Sequence, residues 1–171
     1  MSLKQNVIYS LNQSRGMLNR LVDSLNSPED WFYQPFPAAN HPLWIVGHLA
    51  LADQRFAAQI SGQQPESKPG WDELFWFGSE IQSDQEKYPP IDEVVNFFHE
   101  QRENLMKVID QTDDDFFTQP PPEGRFSDAP NMGQMLIFAS FHEGMHLGQF
   151  TVAHRGLGHS PLLQPNPNPT T

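Results

Sequence analysis

The 171-residue chain contains no cysteine. Disulfides are therefore excluded, as is any nucleophile or metal site built on a thiolate of this chain. A transition-metal site here must use His, Asp, Glu or water. Basic residues are scarce, with 10 Lys and Arg against 21 Asp and Glu, for a net charge of −11. That balance repels phosphate backbones and anionic lipid, so neither nucleic acid nor a membrane is expected as a partner. No stretch approaches the roughly 20 apolar residues that span a bilayer. Residues 1–10 hold no signal-peptide core. The expectation is a soluble cytoplasmic protein acting on a small molecule. Neither a glycine-rich phosphate loop nor a G-x-S-x-G elbow occurs, and no spacing pairs two of the many carboxylates.

Aromatic residues are plentiful, with 13 Phe and 4 Trp. They bury large areas each and suit one packed core at this length. Val7, Ile8, Leu11, Leu18, Leu21, Val22 and Leu25 recur at helical spacing and predict a first helix over about 3–25. Ser27-Pro28-Glu29-Asp30 has the chemistry of a helix start, and a short turn through Trp31 and Phe32 is expected after it. His41-Pro42 opens a second helix that runs to about Ile60 and stops at Ser61-Gly62. Residues 61–90 read as a long excursion with one short helix near the aromatic knot of Trp71, Phe75, Trp76 and Phe77. A third helix is expected over 91–111, then a loop over 113–128. Asn131, with Gln134 three residues on, starts a fourth helix that ends near Arg155. No strand-period segment stands out. The pattern predicts an all-α protein, a four-helix bundle over 1–158 with a long connection between helices 2 and 3. An irregular or disordered tail is expected over 159–171.

The fourth helix carries His142-Glu143-Gly144-Met145-His146. Residues four apart share a helix face, so His142 and His146 form a natural bidentate grip on a divalent metal. The string is H-E-x-x-H, but the rest of a zincin is missing. Residues 147–171 contain no acidic ligand. The positions where a metzincin needs Gly and His hold Gln149 and Val152. The third ligand is expected from another helix. His48 is the candidate, because it lies mid-helix among apolar neighbours, where an unpaired imidazole is costly to bury. The bland alternative is a core His bonded to a carbonyl or carboxylate. Gly47, Gly144 and Gly148 each weaken their helix by up to about 1 kcal/mol, which suggests close backbone approach beside the ligands. Three neutral imidazoles leave a coordination position open, the arrangement of a catalytic rather than a structural site.

With a His in an apolar Gly47-His48-Leu49-Ala50 context and a late His142-x-x-x-His146 pair followed by Gly148-Gln149, the whole chain resembles the DinB-like (DinB/YfiT-like) superfamily of metalloenzymes. The resemblance implies a four-helix bundle, a metal triad of His48, His142 and His146 holding zinc or nickel, and a homodimer. It also implies a thiol-dependent S-transferase that uses a low-molecular-weight thiol cosubstrate, or a related hydrolase. In either, a thiol or water is activated at the metal. The alternative is a non-catalytic helical module that binds a metal or small ligand. Glu143 is either the general base or a structural residue, since it is turned about 100° from His142. Gln149 either steadies an imidazole or ligand from one turn away or is a partly exposed polar residue. Trp44 either walls the site or belongs to the plain core. His41 is expected at a helix start, His99 at the surface, His154 at a helix end and His159 in the tail.

Overall fold

A computed structural model describes residues 2–66, 68–82, 84–123 and 128–163. Local chemistry sets the helix ends. Ser2 caps the first helix, α1 (Leu3–Val22): its Oγ accepts from the Gln5 N–H, and the Gln5 side chain accepts from the Ser2 N–H. The helix stops one turn short of the expected Leu25, where Ser24 and Leu25 donate to carbonyls three residues back in a closing turn. A 3-10 turn follows at Pro28–Phe32.

The next helix, α2 (Pro42–Ser61), is buried continuously from Pro42 to Gln54. Its C-cap, Gly62, has φ +70°, a left-handed conformation that glycine adopts without a Cβ penalty. The excursion that follows contains one short helix, α3 (Trp71–Phe75), and a 3-10 turn at Gln85–Lys87. Then come α4 (Ile91–Gln111), a 3-10 turn at Asp114–Thr118, and α5 (Met132–Gly156), whose N-cap Asn131 accepts from the Gln134 N–H. There is no strand among the described residues, and the protein is all-helical. No helix among them is long and apolar enough to cross a membrane.

α2 packs chiefly on α4, and α1 on α5. Two apolar clusters fill the space between them. One centres on Leu43, Trp71, Phe75 and Phe98, the other on Leu11, Leu105, Phe117 and Leu136. Residues 124–127 of the expected 113–128 loop lie outside the described residues. In the tail, residues 159–163 are irregular, and Arg20 Nη2 donates to the Leu162 carbonyl (2.9 Å). Residues 164–171 lie outside the described residues.

Four buried charges connect the long helices, one from each. Arg15 comes from α1, Asp53 from α2, Arg102 from α4 and Glu143 from α5. Asp53 Oδ2 accepts from Arg15 Nη2 and Arg102 Nε, both at 2.8 Å, and Oδ1 accepts from Arg102 Nη2 (3.1 Å). Glu143 Oε1 accepts from Arg15 Nε (2.6 Å). Its Oε2 accepts from Arg102 Nη2 (3.0 Å) and Ser14 Oγ (2.5 Å). The spare guanidinium donors reach the Phe98 and Leu11 carbonyls, and Arg15 Cζ lies 3.7 Å over the Phe98 ring. Burial pulls the Arg15 pKa down. For Arg102 the attraction of Asp53 and Glu143 outweighs burial and holds it up. Both guanidiniums stay charged. The set balances to zero net charge, the condition under which ions tolerate a low-dielectric interior.

His41 caps α2 from within the core. Its Nδ1 accepts from the Trp44 N–H (3.1 Å), and its ring packs between Phe32 and Tyr88. Burial pushes its pKa down to about 4, partly offset by the Trp31 backbone.

Two outcomes are expected from these buried groups. Glu143→Gln leaves two guanidiniums facing one carboxylate, and denaturant unfolding should show a loss of about 3 kcal/mol. A variant as stable as the wild type would remove the quartet from its structural role. Between pH 6.5 and about 4, an unfolded His41 binds a proton that the folded one refuses, so stability falls as pH falls through that window. His41→Asn keeps a capping side chain and should make the pH dependence of the unfolding midpoint shallower over that range. An unchanged slope would assign the acid sensitivity elsewhere.

Candidate metal centre

α2 and α5 bring His48, His142 and His146 together. The Nε2 atoms of His48 and His146 each lie 3.1 Å from His142 Nε2. One ligand atom from each ring lies within 4.8 Å of the others, the one such group among the described residues. The rings meet edge to face, with centroids 4.7–5.1 Å apart. For imidazoles about 2.0–2.1 Å from a tetrahedral ion, donor atoms are separated by roughly 3.3 Å. The two distances to His142 are close to that size.

The outer nitrogens decide which atoms face inward. His48 Nδ1 lies 2.8 Å from the Phe75 carbonyl, which can only accept, so the ring hydrogen is on Nδ1 and Nε2 is bare. His146 Nδ1 donates in the same way to Gln149 Oε1 (2.9 Å), which also accepts from Asn40 Nδ2 (3.1 Å). Burial, with His146 nearby, pushes the His48 pKa down to about 3, so this ring is neutral at physiological pH. Burial likewise lowers that of His146, with Gln149 opposing. Two bare nitrogens thus face His142 Nε2, which carries at most one hydrogen. At least one pair of lone pairs meets at 3.1 Å with no proton between. This donor set could hold a divalent cation, and imidazole nitrogens suit borderline divalent ions.

Gly47 makes the Phe75 contact possible. A Cβ on Gly47 would stand 2.4 Å from the Phe75 ring, so only glycine lets α3 lie against α2 here. Gly144 and Gly148 do not repeat this role. A Cβ at either meets nothing within 4 Å, and both are exposed. The expectation of close backbone approach holds at Gly47 alone of the three.

The site residues expected from sequence separate cleanly. Glu143 is turned into the buried quartet with both oxygens engaged. Its geometry fits the structural alternative. Gln149 orients His146. Trp44 stacks flat on His48 (4.8 Å, 7°), and its Nε1 donates to Ser79 Oγ (2.8 Å). His41 is the α2 cap. His99 is half-buried with its ring edge-on to Phe98, rather than at the surface. His154 is buried and stacks on His159 (4.3 Å).

Sequence reasoning missed Arg15, Asp53 and Arg102, the Phe75 carbonyl, and Asn40. The three charges had a signal, since each interrupts an apolar helical stripe. A backbone carbonyl supplied by a distant helix has none.

The three histidines line a cavity of about 600 Å³ whose other lining residues come from α2, α5 and the segment after α3. Trp76, Phe77, Phe138 and Met145 line it beyond the histidines. A site of neutral nitrogen donors opening on an apolar cavity can hold an ion and place a small molecule beside it.

A search of curated proteins finds no match to the chain. The family model of the DinB superfamily matches residues 10–150, a span that contains all three histidines and every member of the buried quartet. On that match and an all-helical fold with its three-histidine cluster, the chain belongs to the DinB superfamily.

Proposed function

We propose that His48, His142 and His146 hold a divalent transition metal, zinc or nickel, and that the protein is a metal-dependent enzyme acting on a small molecule. The reading is a thiol-dependent S-transferase, or a related hydrolase. The observation that carries it is the convergence of bare Nε2 atoms at the end of the aromatic cavity. The bound ion supplies acidity, lowering the pKa of a thiol or water so that it attacks at neutral pH.

The chain's own groups do the rest. The Phe75 carbonyl and Gln149 fix two imidazoles as donors. Trp44 and Trp76 line the cavity beside the histidines. The cavity positions an electrophile beside the activated group. The second reading, a non-catalytic metal- or ligand-binding module, is favoured by one observation: with Glu143 engaged in the quartet, no carboxylate among the described residues lines the cavity as a proton acceptor. A homodimer is supported by the exposed face of α5, where Phe141, Met145 and Val152 flank Gly144 and Gly148. Small residues on such a face let a second helix approach closely.

Metal analysis of untagged protein should find about one zinc or nickel per chain, or uptake of one on addition. Gln149→Ala should cost about 10- to 100-fold in metal affinity, and His48→Ala more. Wild-type affinity in His48→Ala would end the three-histidine reading. Loaded protein should conjugate a low-molecular-weight thiol to an electrophile. Metal uptake without turnover across a broad panel would select the binding module. In sedimentation equilibrium the wild type should be a dimer and Gly148→Glu a monomer. A monomeric wild type removes the homodimer.

A further inference from the structure

α2 presents one stripe to the cavity. Trp44, His48, Ala52, Arg55 and Gln59 all line it, at spacings that keep them on one helix face. His48 and Arg55 are seven residues apart, so they differ by only about 20° in direction and about 10 Å along the axis. Ala52, between them, puts little bulk in that interval. The Trp76 ring covers the same stretch: its centroid lies 5.7 Å from the His48 ring and 3.6 Å from Arg55 Cζ. One indole therefore reaches from the imidazole to the guanidinium.

The guanidinium is held in place mainly by that stacking, which fixes its plane. Its carboxylate partner, Asp72, meets a single nitrogen. Nη2 lies 2.8 and 2.7 Å from Oδ1 and Oδ2, where the stronger fork would use two parallel N–H groups. Nη1 donates over a long 3.4 Å to the Leu51 carbonyl. The two side chains are 32% and 60% exposed, and an ion pair this open to water contributes little to stability. The quartet in the core sets the contrast. There each guanidinium is buried and meets two carboxylates. Arg55 faces a cavity instead, with a partner that an incoming anion can replace at small cost.

From this geometry we infer that Arg55 anchors an oxyanion of the ligand, a carboxylate or a group of like charge. That group takes the place of Asp72 on the guanidinium, while the reacting end of the molecule lies at the histidines, one indole away. The ligand class is then a small molecule whose reactive head and acid group are held apart by a short chain. The place of the head rests on the metal reading above. The anion anchor rests on Arg55, Trp76 and Asp72 alone.

Two titrations separate those parts. In the first, metal-free protein is titrated with hexanoate and with hexanol while the Arg55 Nε–H resonance is followed by NMR, the peak being assigned by its loss in Arg55→Gln. Hexanoate should shift it saturably and hexanol should not. Asp72→Asn removes the competing carboxylate and should tighten hexanoate binding about threefold or more. Trp71 and Phe75 keep α3 buried in the core, so that substitution leaves the helix seated. A shift that hexanol or an equal concentration of sodium chloride reproduces, or an affinity that Asp72→Asn leaves unchanged, overturns the anchor.

In the second, cobalt-loaded protein is titrated with 6-mercaptohexanoate and 6-mercaptohexanol, reading the sulfur-to-cobalt charge-transfer band. The two thiols match in length and differ in the acid group, and the chain is too long to favour chelation of the cobalt by both ends. The carboxylate should bind about fivefold or more tightly than the alcohol. That ratio should fall severalfold in Arg55→Gln and rise in Asp72→Asn. Taking the ratio cancels any general change at the cobalt. Equal affinities, or a ratio that Arg55→Gln does not alter, overturn the anchor while the metal reading stands. If cobalt does not bind, the metal reading fails, and the metal-free titration alone decides the anchor.

Discussion

Two guanidiniums and two carboxylates, one from each long helix, meet where a bundle ordinarily holds leucine. Burying any one of them alone would cost several kcal/mol, and the set is tolerated because every charge faces two of opposite sign. This makes the quartet a register device. A rotation of α5 that kept its apolar contacts would still strip Glu143 of Arg15, Arg102 and Ser14. Both carboxylates sit on the helices that carry the histidines. Asp53 lies five residues after His48, about 7 Å along the α2 axis, and Glu143 lies between His142 and His146. Fixing the carboxylates fixes the imidazoles.

From that anchor the site is assembled by parts that would be neutral elsewhere. Gly47 lets the Phe75 ring lie against α2. The Phe75 ring is fully buried, so α3 is held firmly, and its carbonyl then directs His48 Nδ1 outward. Across the site, Asn40 steadies Gln149, which directs His146. His48 and His146 are thus each oriented from behind by a group on a different segment, and neither orienting group is ionisable. Burial lowers the pKa of both rings, against the opposing pull of these two hydrogen bonds. The long excursion between α2 and α4 supplies a hydrogen-bond acceptor and one aromatic wall, which accounts for its length.

Helix spans were legible because the apolar period is strong where a helix has one buried face. The third helix and the start of the fourth fall where the pattern puts them, and the first ends early only because its last turn closes on itself. The His142–His146 pair was legible for the same geometric reason, and His48 through the cost of burying it. The quartet left a mark that is visible afterwards. Leu11-Arg15-Leu18, Leu49-Asp53-Phe56, Phe98-Arg102-Leu105 and Ala139-Glu143-His146 all place a charge four residues after one buried side chain and three before another. A charge at that register is either buried with partners or ends the stripe, and four such positions of balanced sign favour the first. The glycines were harder to interpret. The helix-propensity cost is the same at Gly47, Gly144 and Gly148, but propensity is local, and what stands opposite each glycine is a tertiary fact.

The H-E-x-x-H string shows how one short segment divides between two tasks. Successive helical residues are about 100° apart, so His142 and His146 differ by about 40° in direction, while Glu143 points about 100° from the first and about 60° from the second. With the histidines facing the cavity, the glutamate faces the core. That division has a chemical consequence. Among the described residues no carboxylate lines the cavity, so in the proposed chemistry deprotonation of the attacking group would fall to the acidity that a bound metal would confer. A water must come down from a pKa near 15.7, a thiol only from about 8.5. A bound ion could bring either within reach of neutral pH, but the thiol needs the smaller shift, so the geometry that commits Glu143 to the core favours the thiol within the proposed chemistry.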